Sequence, residues 1–310
     1  MQATLAKADR RCLLRLGGVL LLALGGAAQA EALSPELEIS AHANLLVAAD
    51  AAHPLPSRPA QGNATQDAVV SAIVAGRRSA AGITRSLAVD GSLPQGGLLR
   101  DVGDGVGIAA RIDGSCDGAP AQSDGLYGEY DFVLRNRSSS VRYKLTLKID
   151  YANAVAAQGP AAEGAGAYGI GLITLGRDSG ELFSSNLTSD TTLGDRIDVT
   201  PTGASGQPLN EAGARTLELE LAPGAVLRLQ GRQELRGAAS TPGAAYRGAL
   251  SAFFSIAAAA QTGARPPPPA NPADVMQVPE KNGGIANLSA AAVCGLVVLA
   301  IAWAVLRRRK

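Results

Sequence analysis

Cysteine is scarce, and its placement is more telling than its number. Cys12, Cys116 and Cys294 are the only three. Cys12 belongs to a basic start and Cys294 to an apolar end, so Cys116 stands alone in the body of the chain. One cysteine cannot close an intrachain disulfide, and the folded part must rely on ordinary burial. Cys116 itself reads first as a small buried apolar residue and second as a thiol able to pair between chains. Histidine is rarer: His42 and His53 are the only two. With one cysteine they cannot build a His/Cys zinc site at the usual spacing. Aromatic residues make up 4% and Trp303 is the sole tryptophan. The body therefore lacks the tryptophan platform that sugar-binding modules commonly use. Net charge is +1, and cations are concentrated at the two ends. With no basic excess between them, nucleic acid is excluded as a partner. Arginine greatly outnumbers lysine, and Ala and Gly abound, as in the coding bias of a GC-rich, bacterial genome.

The two ends carry the clearest signals. Lys7, Arg10, Arg11 and Arg15 form a basic start, 16–27 is apolar and Leu-rich, and Ala28-Gln29-Ala30 supplies the small residues a signal peptidase reads. Residues 1–30 are thus expected to be a signal peptide cleaved after Ala30. At the other end, 285–306 is apolar and Arg307-Arg308-Arg309-Lys310 follows at once. The stretch 288–306 holds no charged residue. It reaches roughly 28 Å as a helix, close to the hydrocarbon thickness of a bilayer. A lone segment in lipid must satisfy its own backbone, so a transmembrane helix is expected, with the terminal cations held in the cytoplasm and Trp303 at that interface. The expected topology is single-pass, with everything between the ends in the periplasm or on the cell surface.

Between the ends, period-two alternation dominates. In 141–151 Val, Tyr, Leu, Leu, Ile and Tyr fall on one face and Arg, Lys, Thr, Lys and Asp on the other. A strand puts the first face in a core and the second in water, whereas a helix would scatter both. The same logic predicts strands at 37–41, 68–75, 83–89, 106–112, 130–134, 168–175, 182–187, 217–221, 226–229 and 250–256. Residues 176–180 read as a hairpin turn and 222–224 as a turn that sends the chain straight back. Residues 48–61, with three prolines, and Gly-rich 114–125 read as loops. Nine to eleven short strands without a helix predict an all-β, antiparallel β-sandwich over 31–260, jelly-roll or immunoglobulin-like, with a closed barrel as the lesser alternative. Many inward positions are Ala or Gly, so the Tyr/Phe/Leu strands of 127–151 are expected to supply much of the stability. A Pro/Gly-rich linker, 261–284, opens on Arg265-Pro266-Pro267-Pro268-Pro269 and favours a stiff polyproline spacer.

The order spacer, short motif, apolar span, basic cluster resembles the C-terminal sorting signals of bacterial surface proteins, above all the PEP-CTERM class. The matching residues are Val278, Pro279 and Glu280, then the span, then Arg307, Arg308 and Arg309. Lys281 stands where that class normally has a second proline, and the gap to the span is long. Gly283-Gly284 is similar to the rival GlyGly-CTERM class. The resemblance covers about the last thirty-five residues. It implies an exosortase-like sorting protease as a partner, or a rhomboid-type one for the rival class.

Site signals in the body are thin. Asp101, Asp104, Asp113, Asp117 and Asp124 lie in or beside Gly-rich segments; Asp113, Asp117 and Asp124 are the candidate calcium ligands, though their spacing matches no EF-hand and Asp-Gly pairs also make turns. Ala51-Ala52-His53 and Asp178-Ser179-Gly180 resemble the histidine and serine segments of chymotrypsin-like proteases. Arg177 and Glu181, however, replace the expected flanking glycines. The sequons at Asn63, Asn136 and Asn186 matter only in a glycosylating host. The reading that results is a non-enzymatic, membrane-anchored envelope protein of structural or interaction type, with no catalytic residue and no cofactor. Its expected partners are the membrane, the sorting protease and envelope or matrix components. The alternatives are an envelope ligand-binding module, glycan- or calcium-dependent, and more remotely a serine hydrolase.

Overall fold

The structure, a computed structural model, describes residues 31–47, 57–160, 166–178, 180–202 and 207–262. The expected signal peptide, His53, Ser179, the expected linker beyond 262, the expected span and the residues of the expected sorting signal lie outside the described residues. The chain divides into two compact units, Met1–Arg265 and Pro266–Lys310, and every described residue belongs to the first.

Among the described residues fifteen strands follow one another: β1 (Leu37–Leu45), β2 (Thr65–Val74), β3 (Arg77–Ile83), β4 (Val89–Asp90), β5 (Gln95–Leu99), β6 (Gly105–Ser115), β7 (Ala121–Asn136), β8 (Arg142–Gln158), β9 (Ala167–Arg177), β10 (Gly180–Asp190), β11 (Arg196–Ile197), β12 (Thr200–Pro201), β13 (Leu209–Leu221), β14 (Val226–Ala239) and β15 (Ala245–Thr262). They build two antiparallel sheets, β12-β11-β10-β9-β14-β7-β1-β5 and β13-β8-β15-β6-β2-β3-β4, which form a β-sandwich. No helix occurs among the described residues.

The pairing is nested. The β9–β10 hairpin is innermost. Around it β8 pairs with β13 in the other sheet, then β7 with β14 back in the first, then β6 with β15 in the second. Each outward step therefore changes sheet. β1 and β5 extend one sheet beside β7, and β2, β3 and β4 extend the other beside β6.

Alternation decides which side of each strand is buried. In β8, Tyr143, Leu145, Leu147, Ile149 and Tyr151 point inward, as their spacing predicts. Tyr130, Phe132 and Leu134 of β7 face them across the sandwich core. The Phe254 ring meets Tyr130 at 4.6 Å and Phe132 at 5.8 Å between centroids, both edge-to-face, the arrangement aromatic quadrupoles favour. The core is otherwise rich in alanine, with Ala41, Ala43, Ala68, Ala72 and Ala252 fully buried. Buried tyrosines keep hydroxyl partners: Tyr130 donates to Gln233 Oε1 at 2.7 Å, and Tyr246 lies 2.9 Å from Ser123 Oγ.

The same inward parity places Asn136 at the end of β7, fully buried. Its amide donates to Val141 O at 2.8 Å and to Leu221 O and Ala222 O at 3.0 Å each, and its Oδ1 accepts from Ser138 N at 3.0 Å. One side chain thereby ties the β7–β8 corner to the β13–β14 corner, where the nested chain changes sheet twice. A second pair of corners is joined by backbone: Cys116 N donates to Ala244 O and Gly243 N donates to Cys116 O. Cys116 is free and only 2% exposed.

Four expectations are corrected. Residues 83–89 are not a strand: Ile83 ends β3, Leu87 sits at φ 61°, and the chain turns before the two residues of β4. Residues 114–125 are not one loop, because β6 runs to Ser115 and β7 starts at Ala121; Gly125, at φ 108°, sits within β7 beside the shift in its register with β14. After Ala222-Pro223-Gly224 the chain does not run back beside β13; β14 joins the opposite sheet. The strands are not uniformly short, since β7, β8 and β15 span 16, 17 and 18 residues.

Asn136→Ala removes the amide donor shared by three carbonyls at a partly buried pair of corners. The expected loss is roughly 2–4 kcal/mol, read as a lower urea midpoint with unchanged slope.

Alkali should unfold the domain through its tyrosines. Burial pushes all six phenols above their ordinary value, Tyr246 to about 12. The unfolded chain releases these protons near pH ~10 while the folded chain holds them. This stabilisation is therefore complete below about 10 and is lost as pH climbs toward 12. The melting temperature should fall across that window, with phenolate absorbance rising together with the loss of structure.

Candidate functional site

The solvent-facing polar groups that carry any organisation sit at the corners and on the outer faces of the sandwich. The β6–β7 corner is the most elaborate. Asn63 Nδ2 donates to Ser115 Oγ at 3.0 Å and to Asp117 Oδ2 at 3.1 Å. Ser115 Oγ donates to the same Oδ2 at 3.0 Å, and Ser115 N donates to Asn63 Oδ1 at 3.3 Å. The result is a closed polar ring over buried Cys116.

The three calcium candidates do not converge. Asp117 belongs to that ring. Asp113 faces outward from β6 with Thr65 and Arg247 as its strand neighbours. Asp124, on β7 in the other sheet, pairs with Arg58 at 3.6 Å and accepts from Gln122 Nε2. Outward-facing carboxylates of two stacked sheets cannot share one ion, because a sandwich holds its outer faces apart. Among the described residues no group of three or more His, Cys, Asp or Glu is gathered as a metal would need.

Asp104 has a different role. Only 1% exposed, its Oδ2 accepts from Ala75 N and Arg100 N at 2.8 Å and from Asp101 N at 3.1 Å, and its Oδ1 accepts from Gly76 N at 3.2 Å. Ala75 and Gly76 both have positive φ, 49° and 70°, at the tip of the β2–β3 hairpin. A non-glycine residue there is strained, and the carboxylate compensates by anchoring both tip N–H groups. Both its oxygens are already engaged by backbone.

Glu234 lies outward on β14 yet is only 7% exposed. Arg232 Nη2 stands 3.4 Å and Arg236 Nε 3.1 Å from its carboxylate, the second as an ion pair not aligned as a hydrogen bond. Tyr127 is its neighbour on β7, and its phenol is raised by burial first and by Glu234 next. A cleft of about 360 Å³ opens near Ser34, Tyr143 and Gln261. There the Tyr143 hydroxyl lies 2.8 Å from Ser34 Oγ and donates to Glu36 Oε2 at 2.9 Å.

Of the hydrolase segments only Asp178 and Gly180 lie among the described residues, Gly180 as the first residue of β10. Asp178 occupies the tight β9–β10 turn closed by the Arg177–Gly180 pair, the hairpin expected at 176–180. His42 is a half-exposed strand residue of β1 whose Nε2 lies 3.2 Å from Ser40 Oγ. Asn136, Asp104 and Glu234 were not singled out by sequence as buried polar centres. For Asn136 a signal was present, since it continues the inward parity of Tyr130, Phe132 and Leu134. The partners of Asp104 are backbone groups, two in its own turn and two at the tip of the β2–β3 hairpin, and such groups leave no trace in composition.

No protein-family model and no curated protein matches the chain. Among solved structures it is similar to the crystal structure of the infectious bursal disease virus VP2 subviral particle, at 10% identity and a TM-score of 0.14, over 71% of this chain and 64% of that one. It is also similar to the infectious bursal disease virus Gt strain structure, at 9% identity and a TM-score of 0.13, over 73% and 67%. A likeness this slight carries no argument.

Asp104→Asn puts an amide donor where backbone donors converge. The expected cost is about 2–3 kcal/mol, that of charge-assisted hydrogen bonds lost in a buried site. Amide exchange of Ala75 and Gly76 should accelerate more than that of β8 or β15.

Proposed function

We propose that the protein is an exported envelope protein of structural or interaction type. It displays a jelly-roll β-sandwich outside the cytoplasm on a proline-rich stalk and one C-terminal membrane helix. The observation that carries the reading is the tail, where a span-length apolar run meets four consecutive cations. The basic and apolar start ending in Ala28-Gln29-Ala30 supports export. The nested, sheet-alternating pairing of β6 to β10 with β13 to β15 supports a jelly-roll winding over an immunoglobulin-like one. Removal of the tail by an exosortase-like protease, guided by Val278-Pro279-Glu280 and Arg307-Arg308-Arg309, is part of the same reading. The partners are then envelope or matrix components met by the displayed sandwich.

Alkaline carbonate extraction of cells expressing the full chain tests the anchor. Untrimmed protein should stay with the membrane pellet. Intact mass of the mature protein should show loss of the first thirty residues, and a further loss near the C-terminus if the tail is cut. Full-length protein with an intact C-terminus in the soluble fraction would sink the reading.

A further inference from the structure

We propose that the outer edge of β13 pairs with β13 of a second copy, antiparallel, about a two-fold axis through Gly213. β13 ends its sheet, and among the described residues only β8 pairs with it. Its thirteen residues thus present a row of backbone donors and acceptors, which is a template for another strand. The side chains on that row choose the partner. Residues 209–217 read Leu-Asn-Glu-Ala-Gly-Ala-Arg-Thr-Leu. Folded on itself about Gly213, the segment sets Leu209 against Leu217, Asn210 against Thr216, Glu211 against Arg215 and Ala212 against Ala214. Opposite charges, apolar pairs and polar pairs all match, and each cross-strand match occurs twice because a two-fold interface is isologous. An unrelated extended peptide has no reason to carry this pattern.

The charges also select the register. Moving the axis one residue, to Ala212 or Ala214, sets Glu211 and Arg215 against uncharged residues. Moving it two sets Glu211 against Glu211 or Arg215 against Arg215. Charges on an edge strand usually deter pairing; here they deter the neighbouring registers and favour one.

Two further features point to the same edge. Glu211 is held in place before any partner arrives, accepting from Ser185 Oγ at 2.7 Å and from the Tyr151 hydroxyl at 3.1 Å. On the opposite sheet at this edge, the segment after β10 exposes Leu193, Ile197 and Val199, with Val199 88% exposed. These are half of the exposed large apolar side chains among the described residues. A second sandwich seated on the β13 edge would cover them. This pairing does not depend on the membrane anchor proposed above.

The test is a charge exchange on the full chain in mild detergent, followed by sedimentation velocity. Wild type should show a species of twice the monomer mass that grows with concentration. Arg215→Glu and Glu211→Arg should each be monomeric alone and should restore the dimer when mixed, because the mixture has both attractive pairs. Gly213→Cys adds a register test. The axis brings the two residue-213 Cα atoms to about 4.5–5.5 Å, within disulfide reach. The Thr216→Cys positions lie roughly 20 Å apart. Mild oxidation should cross-link the first variant at least tenfold faster than the second, with wild type as background. A mixture no more dimeric than its parts, or equal cross-linking at 213 and 216, overturns the proposal. If Glu211→Arg does not fold, as judged by circular dichroism, the cysteine pair decides alone.

Discussion

The architecture depends on a buried amide at a corner. A nested chain must change sheet at both ends of every strand pair, and each change leaves carbonyls that no ladder can satisfy. Asn136 meets three of them, on two corners separated by more than eighty residues of sequence. The interaction fixes the phase of β7 against β8 and of β13 against β14 at once. Inward alternation from that point sets which side chains of four strands enter the core. An apolar residue there would fill the space and leave the corners unjoined.

The interior compensates for small side chains with length and with polar cross-links. Alanine contributes little burial per residue, so the long ladders of β7, β8 and β15 supply many registered positions instead. Asn153 Nδ2 reaches from β8 to Gly171 O at 2.8 Å, and Tyr130 reaches from β7 to Gln233 on β14. Such bonds specify one register, because a slip of one residue would move each of these groups to the wrong face.

What was legible in the sequence was the alternation. The inward faces of 130–134, 141–151 and 250–256 follow from parity, and so do the all-β class and the hairpin at 176–180. Parity does not say which sheet a strand joins. Ala222-Pro223-Gly224 looks the same whether the chain folds back or crosses over, and the choice is made by contacts of Asn136 far away in sequence. The Ile83–Val89 segment misled because its apolar residues alternate while Leu87 adopts a positive φ. β5 escaped because Gln95-Gly96-Gly97 has no inward apolar pattern; at Gly96 a side chain would run into the backbone of Ala41 and His42 on β1. At the candidate sites the acidic residue types were visible, but their dispersal over two outer faces was not, since spacing along a strand carries no information about the sheet.

The last strand of the folded unit is an interior strand of its sheet. β15 lies between β8 and β6, so without it β13-β8 and β6-β2-β3-β4 are separate ribbons with no shared ladder. The sandwich cannot be completed during synthesis until residues up to Thr262 have emerged. A product truncated before Ala245 is left with raw strand edges on β8 and β6 that β15 covers in the finished protein.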